Sequence, residues 1–450
     1  MRPNLAITYG QDRLPRYTSY PTAPHFSAEV GEADYRTWLR SAPTRRPASI
    51  YLHVPFCRSM CWYCGCHTSI SKRDEPVAIY AAGLRTEAHL VAEAVGQRLP
   101  VSHIHFGGGT PTIMTPETFA DLVSALRYSF FVQPDAEIAV EIDPRTLTEP
   151  MAEALGYSGV NRASLGVQSF DPVVQHAINR SQSLEQTAEV VERLRRAGVG
   201  RINFDLLYGL PSQTVASCLD TVGKCVTLRP DRFSVFGYAH IPSFKKHQRM
   251  IDEASLPDSL ERHRQSEAIA QALTDAGYTR IGLDHFALPG DNLARAKREG
   301  RLRRNFQGYT DDSAETLIGL GASAIGRMPQ GFVQNAVATR DYLARIAEDR
   351  LATVKGYMLT AEDRFRADII ERIMCDMAVD LPGMCRRHRW DPSSAVVDRS
   401  RLDRLIADGA VTMMGDRLSI NDDAEFLARS VASAFDAHLG RATARHSQAV

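Results

Sequence analysis

From about residue 48, short runs of β-branched and aromatic residues alternate with longer stretches in which apolar residues recur every three or four positions. The runs are SIYLHV, SHIHFGGG, EIAVEID, RASLGV, RINFDLLYGL, RFSVFGYAH and TRIGLDHF. Between them lie stretches of helical period such as AIYAAGLRTEAHLVAEAV, SLEQTAEVVERLRRAG and DSLERHRQSEAIAQALTDAG, several of which close on Gly as helix C-caps do. Strand alternating with helix predicts a parallel sheet with right-handed crossovers. Six or so such units over roughly 240 residues point to a (β/α) barrel, complete or partial. A doubly wound open sheet fits the same periodicity.

The rhythm breaks at both ends. The stretch RLPRYTSYPTAPHF ahead of the first run is rich in Pro and Tyr, and its prolines predict extended chain. Beyond about residue 330 come helical patterns, EDRFRADIIERIMCDMAV and SRLDRLIADGAV, and then a short strand within DRLSIND. A chain of 450 residues is also long for one core. The expected organisation is an N-terminal arm over 1–47, an α/β partial barrel over 48–330 and a smaller, mostly helical domain over 331–450. Neither a repeat of fixed period nor a low-complexity tract interrupts it.

Composition narrows the class. Apolar residues make 44% and charged residues 24%, an ordinary globular balance. Lys plus Arg and Asp plus Glu are both 53, so no net field recruits nucleic acid or an anionic membrane. The segment MRPNLAITYGQDRLPRYTSY lacks the apolar core of a signal peptide, and no stretch approaches the roughly 20 apolar residues of a membrane span. A cytoplasmic protein is expected. Thiols stay reduced there, so clustered cysteines point to metal or redox chemistry, not disulfide staples.

Four of the eight cysteines fall in CRSMCWYCGC, residues 57–66, directly after the first strand-like run. Cys57 and Cys61 are spaced C-x3-C, Cys61 and Cys64 C-x2-C, and Cys66 follows. Three thiolates on one tight loop suit an iron-sulfur cubane. Structural zinc, recruiting His53 or His67, and a redox thiol pair are the alternatives, although zinc sites favour a second C-x2-C knuckle that the chain lacks. Either Cys66 is a fourth ligand or the site is left open. Cys218, Cys225, Cys375 and Cys385 lie on helical stretches and read as buried thiols.

Polar features gather where the predicted strands end: GGGTPT after the second, Glu141 and Asp143 after the third, Gln168 after the fourth, and His240 closing the sixth. Asp205 falls within the fifth. In both parallel architectures ligands bind at the carboxyl ends of strands, so one site could collect them. Glycines let backbone approach a ligand closely and present its amides. An acid such as Asp205 among apolar neighbours needs ligand hydroxyls, an ammonium group or an internal salt bridge.

C-x3-C-x2-C with aromatics between the second and third cysteines, followed by GGGTPT, resembles the radical S-adenosylmethionine superfamily. The ordered set RYTSYPTA, HVPFCRSMCWYCGC, HFGGGTPT, EIDPR, GVQSFD, NRSQ, NFDLLYGLP, YAHIP, GLDHFA and RNFQGYT resembles, more narrowly, the oxygen-independent coproporphyrinogen III oxidase family. The resemblance implies a partial barrel in which Cys57, Cys61 and Cys64 hold a [4Fe-4S] cluster whose open iron takes S-adenosylmethionine, with Cys66 outside the ligand set. It implies two S-adenosylmethionine molecules per chain. Tyr51, Gly108, Glu141 and Ile325 would serve the one at the cluster, though Tyr51 and Ile325 could pass for core residues. Tyr63, Gly109, Thr110, Gln168, Arg180, Asp205 and Ala239 would serve the second. Tyr63 stands where some relatives carry Phe, and its ring can still stack on adenine.

The activity so implied uses a 5'-deoxyadenosyl radical to decarboxylate two propionates of coproporphyrinogen III to vinyl groups. The implied partners are that substrate, an unidentified electron donor and an unidentified acceptor, with the chain a monomer binding neither nucleic acid nor membrane. Arg16, Lys245, Lys246 and Arg304 are candidates for the substrate carboxylates, or else solvated surface charges. A haem chaperone on the same barrel is the rival; that group lacks the arm and the CGC ending and carries an H-N-x-x-Y-W motif, which is absent here. RLDRLIADGAVTMMGDRLSI also resembles a winged-helix tail, a fold used as plain scaffolding in many enzymes.

Overall fold

The structure, a computed structural model, describes residues 3–10 and 12–440. Six strands run parallel in sequence order: β1 (Ala48–Val54), β2 (Pro100–Gly108), β3 (Phe131–Ile142), β4 (Arg162–Gln168), β5 (Arg201–Tyr208) and β6 (Arg232–Gly237). Consecutive strands are neighbours throughout, so the order never reverses as it must in a doubly wound sheet. Every crossover of one hand then leaves its helix on the same face, which is barrel winding. These helices are α1 (Glu75–Val95), α2 (Pro116–Ser129), α3 (Glu149–Tyr157), α4 (Leu184–Arg196) and α5 (Val215–Thr227).

The seventh run, TRIGLDHF, departs from the expected single parallel strand. It folds as β7 (Thr279–Ile281) and β8 (His285–Ala287), antiparallel to each other, with β8 antiparallel to β6. Gly282, at φ +56°, makes the turn that a parallel strand could not accommodate. On the far side of β1, β9 (Leu317–Leu320) pairs parallel, and β10 (Ile325–Met328), β11 (Gly331–Asn335) and β12 (Thr353–Met358) continue antiparallel. The sheet thus runs past residue 330, to Met358. Its outer strands β12 and β7 do not pair, so the twelve strands form an open, partial barrel.

Alternation along the strands separates two faces. Ile50, Leu52, Phe106, Val140, Leu165 and Phe204 are at most 1% exposed and pack into the main core beneath the helices. The opposite positions are polar: Ser49, Tyr51 and His53 on β1, His103 and His105 on β2, Glu137 and Glu141 on β3, Ser164 on β4, Asn203 and Asp205 on β5, Ser234 on β6. They hydrogen-bond to one another across strands: Ser164 Oγ donates to Asp205 at 2.7 Å, and Asn203 Nδ2 donates to Asp205 and Ser234 at 2.8 and 3.1 Å. A purely structural parallel sheet reads apolar on both faces. Here the inner face is a polar lining.

A second core gathers Phe365, Ile369 and Ile373 of the helix Ala361–Asp376 with Leu402, Leu418 and Val431. A three-stranded ladder, Ala378–Asp380, Arg417–Ile420 and Val411–Met414, completes this smaller unit. Leu5, Tyr9, Tyr17 and Tyr20 of the arm belong to the same core. The arm has short helices at Pro3–Tyr9 and Glu32–Arg40, and residues 12–22 between them carry no regular helix or strand.

Glu87 on α1 couples the barrel to the turn between β9 and β10. Its carboxylate is 2% exposed and accepts from Gly321 N at 2.6 Å, Asn335 Nδ2 at 2.6 Å and Tyr342 OH at 2.9 Å. Burial pushes its pKa up to about 7, against the pull of those hydrogen bonds. A folded-state pKa raised in this way gives stability that is complete below about pH 4.5 and lost as pH rises through about 7. The loss amounts to about 2–3 kcal/mol. Glu87→Gln, a neutral isostere, is therefore expected to flatten the melting temperature between pH 4.5 and 7; an unchanged slope would place that titration elsewhere.

Candidate active site

The cluster loop leaves the carboxyl end of β1. Two short pairings lock it: Phe56–Cys57 runs parallel to Ser69–Ile70, and the end of β2 docks on it through Gly109 N to Val54 O at 2.8 Å and Thr110 N to Phe56 O at 2.7 Å. Glycine is needed at that docking. Gly108 sits at φ +114°, and a Cβ on Gly109 would stand 2.5 Å from the Phe56 carbonyl oxygen. Trp62 and Tyr63, between the second and third cysteines, pack on the satellite apolar cluster of Val174, Ile178, Leu210, Tyr238 and Ile251. That packing shields one side of the loop from water.

All eight cysteines are free. Two sulfurs of the triad accept hydrogen bonds from threonine or arginine: Cys57 Sγ from Thr110 Oγ1 at 3.3 Å and Thr68 Oγ1 at 3.4 Å, Cys61 Sγ from Arg145 and Arg180, each at 3.4 Å. Burial pushes the Cys57 thiol up, partly offset by its two threonines. Hydrogen bonding from Cys66 outweighs burial at Cys64 and brings its thiol down to about 6. Donors aimed at sulfur are what cluster thiolates use to hold charge and set potential. Among the described residues no three His, Cys, Asp or Glu side chains converge as the ligands of a single ion would. Three thiols on one loop, two of them with hydrogen-bond donors aimed at sulfur, would suit the thiolate ligands of an iron-sulfur cluster. Cys66 touches the triad through its hydrogen bond to Cys64, and it also lies exposed on the wall of the neighbouring cavity.

The residues expected to serve the first S-adenosylmethionine meet at the ends of β1, β2, β3 and β10. Tyr51 pairs in register with Gly319 and with His105, on whose ring it stacks at 5.9 Å, and Ile325 lies against Gly319. Glu141 accepts from Gly108 N at 3.0 Å and meets His105 Nε2 at 3.2 Å. Burial raises its pKa, yet His105 and the Gly108 amide outweigh burial and keep it below the usual carboxylate range.

Of the second set, Gln168, Arg180, Asp205 and Ala239 gather around β4, β5 and the end of β6, whereas Gly109, Thr110 and Tyr63 lie at the cluster loop, Thr110 donating to Cys57 Sγ. Gln168 ends β4 in a left-handed conformation, φ +67°. Gly166, two residues before it, accepts from Arg180 Nη2 at 2.5 Å and pairs in register with Asp205. Ala239 and Tyr63 are bridged by one side chain, as Gln248 Nε2 donates to both carbonyls at 3.2 and 3.0 Å. The hydrogen-bond partners of Asp205 are neutral, Ser164, Asn203 and Ser234, instead of the salt bridge held open as an alternative. Burial raises its pKa to about 6.

Arg145 and Gln248 were not singled out from the sequence. Arg145 closes the motif EIDPR and bonds Asp143 Oδ2 at 2.6 Å, while Arg180 reaches Asp143 Oδ1 at 3.3 Å. Asp143 thereby aims two guanidinium groups at Cys61. Gln248 has no periodicity or motif to mark it, since its role depends on the loop 238–250 folding back on the cluster loop.

A cavity of about 860 Å³ opens beside Cys66 and Ala239, between the barrel mouth, the arm and the smaller domain. Of the four cations expected near the substrate, Arg16 and Arg304 line it. Lys245 does not, because its ammonium donates to Cys66 O at 2.9 Å and so ties down the cluster loop. Lys246 is exposed and also lies outside the lining. No helix among the described residues is long and apolar enough to cross a membrane.

The open barrel and the three-thiol loop define a radical S-adenosylmethionine protein, and the Radical SAM superfamily model matches residues 51–225. A protein of Bradyrhizobium diazoefficiens named oxygen-independent coproporphyrinogen III oxidase is 62% identical over 450 residues, spanning 100% of both chains. One of the same name from Paracoccus denitrificans is 44% identical, covering 97% of each. The solved structure of the coproporphyrinogen III oxidase of Escherichia coli, described as a radical SAM enzyme, superposes with TM-score 0.89 at 34% identity over 95% of this chain and 100% of that one. The chain belongs to the oxygen-independent coproporphyrinogen III oxidase family.

Proposed function

We propose that this chain converts coproporphyrinogen III to protoporphyrinogen IX without oxygen, by oxidative decarboxylation of two propionate side chains to vinyl groups, in porphyrin and haem biosynthesis. The observation that carries the reading is the loop of Cys57, Cys61 and Cys64, with threonine and arginine donors on two of its sulfurs and Cys66 on the wall of an arginine-rich cavity beside it. Each round takes a hydrogen atom from a propionate β carbon, releases carbon dioxide and passes one electron to an external acceptor. When bound, the [4Fe-4S] cluster and S-adenosylmethionine supply the reducing electron and the hydrogen-atom abstraction.

The protein's part is holding and shielding. Cys57, Cys61 and Cys64 would hold the cluster. Tyr51, Gly108, Glu141 and Ile325 would hold the S-adenosylmethionine beside it, with Glu141 kept ionised for an ammonium group. Tyr63, Gly109, Thr110, Gln168, Arg180, Asp205 and Ala239 hold a second molecule. Eight free thiols and no membrane-length helix among the described residues support a cytoplasmic, reducing compartment. The chain acts as a monomer, with an electron donor and an electron acceptor as its protein or small-molecule partners. A haem chaperone is disfavoured, because the arm and the CGC ending that such proteins lack both line the cavity here, through Arg13, Arg16 and Cys66.

Anaerobic reconstitution with iron and sulfide, followed by assay with dithionite, S-adenosylmethionine and coproporphyrinogen III, is expected to release two carbon dioxides per protoporphyrinogen IX. Tight haem binding without turnover would overturn the reading.

A further inference from the structure

We infer that the arginines of the 860 Å³ cavity form a receptor for several carboxylates carried on one broad apolar ligand, with Arg304 and Arg262 at its floor and Arg13 and Arg16 of the arm at its rim. This rests on the porphyrinogen reading above and names the groups that hold that substrate. Among the described residues, six arginines line the cavity against one carboxylate, Asp284. The excess is local, since the whole chain is neutral.

The arginines differ in how far the protein satisfies them. Arg429 donates to the carbonyls of Leu14 and, at 3.0 Å, of Pro15, so it pins the arm. Arg280 faces Glu267 and Glu425 at 3.6 and 3.9 Å. Arg304 is another matter. Its side chain is 6% exposed, Asp284 stands 3.6 Å away, and Nε and Nη1 have no hydrogen-bond partner. The ring of Tyr309 lies 4.4 Å from its guanidinium carbon and offers a flat seat that leaves the fork unused. Arg262 rests on Tyr208 at 5.6 Å, reaches Gly209 O only at 3.5 Å, and its buried Nε is also unpartnered.

Burying guanidinium N–H groups without acceptors costs free energy that a folded chain normally avoids. An anionic ligand supplies those acceptors, and a carboxylate matches the guanidinium fork bidentately. Crowding of like charge supports the same view: burial, and then Arg16 and Arg304, push the pKa of Arg429 down to about 10. Phe236, Phe244 and Phe306 give the walls an apolar face for the body of the ligand. The rim is a strap. Arg401 holds Asp12 at 3.0 Å, Tyr17 OH donates to Asp436 at 2.9 Å, and Ala437 N donates to Tyr20 OH at 2.9 Å. These bonds fix the stretch that carries Arg13 and Arg16 across the mouth.

The test measures binding of coproporphyrin III, with four propionates, and deuteroporphyrin IX, with two, to the reconstituted full chain by fluorescence, together with KM for coproporphyrinogen III. Coproporphyrin III should bind at least about 10-fold tighter at low salt, as expected when more charge pairs are made. Arg262→Gln should remove about 10-fold of that binding and Arg16→Gln about 3-fold, with Arg262→Lys intermediate and the cluster absorbance unchanged. Arg304→Gln is informative only if it folds, so the other two variants decide. Equal binding of the two porphyrins, or parental binding and KM in both variants, would overturn the receptor while leaving the activity standing. Arginine-dependent binding without any turnover would support the receptor and overturn the activity.

Discussion

Serine in place of Cys57, Cys61 or Cys64 is expected to leave anaerobically reconstituted protein without its iron-sulfur absorbance and without turnover, whereas Cys66→Ser keeps about four irons per chain. The two classes of cysteine differ in what surrounds them. Cys57 receives two threonine hydroxyls and Cys61 two guanidinium groups, and Cys61 is buried among Tyr63, Arg145 and Arg180. Cys66 instead lies exposed on the cavity wall, its carbonyl held by Lys245 and its thiol donating to Cys64. A thiolate ligated there would also fill the iron coordination position that S-adenosylmethionine needs. Iron and sulfide analysis with the absorbance spectrum checks each variant. Equal loss in all four, or stoichiometric zinc in protein made with ample iron, would sink the open-iron reading.

Much of this was legible in the sequence because strand ends carry the chemistry. The runs SIYLHV, SHIHFGGG and EIAVEID each become a strand, and GGGTPT meets the cluster loop because Gly109 and Thr110 bond the backbone of Val54 and Phe56. The choice between barrel and doubly wound sheet was not legible, since both share one periodicity and differ only in strand order. A finer signal was available. Ser49, Tyr51 and His53, then His103 and His105, then Asn203 and Asp205, are polar at every second position, and Glu137 and Glu141 share a face with Ala139 between them, in strands that should be apolar on both faces of a covered sheet. That alternation already describes a polar barrel interior. TRIGLDHF was misread as one strand because the Gly that turns it sits inside an otherwise strand-like run. Gln248, Arg262 and Arg429 left no local trace, for each acts on a segment far away in the chain: Tyr63, Gly209 and Leu14.

Asp205→Asn is expected to lower S-adenosylmethionine binding from about two molecules per chain toward one and to cost at least about 100-fold in turnover, with the cluster spectrum intact. The substitution keeps shape and can keep neutral partners, as Asn203 Nδ2 still has an oxygen to meet and Ser164 Oγ can accept in place of donating. What it removes is charge. In the parent that charge is costly, because burial outweighs the hydrogen bonds of Ser164 and Ser234 and lifts the pKa to about 6. A carboxyl raised above its unfolded value contributes stability below about pH 4 that is lost as pH rises through about 6. The cofactor-free variant should therefore be more stable than the parent at pH 8, by about 1–3 kcal/mol, and match it below about pH 4. A carboxylate kept for a structural salt bridge predicts the opposite sign, since breaking such a pair destabilises. Equilibrium dialysis, single-turnover assay and melting curves from pH 4 to 8 read these effects separately. The second cofactor site would have to be given up if the variant bound both molecules normally and turned over at the parent rate.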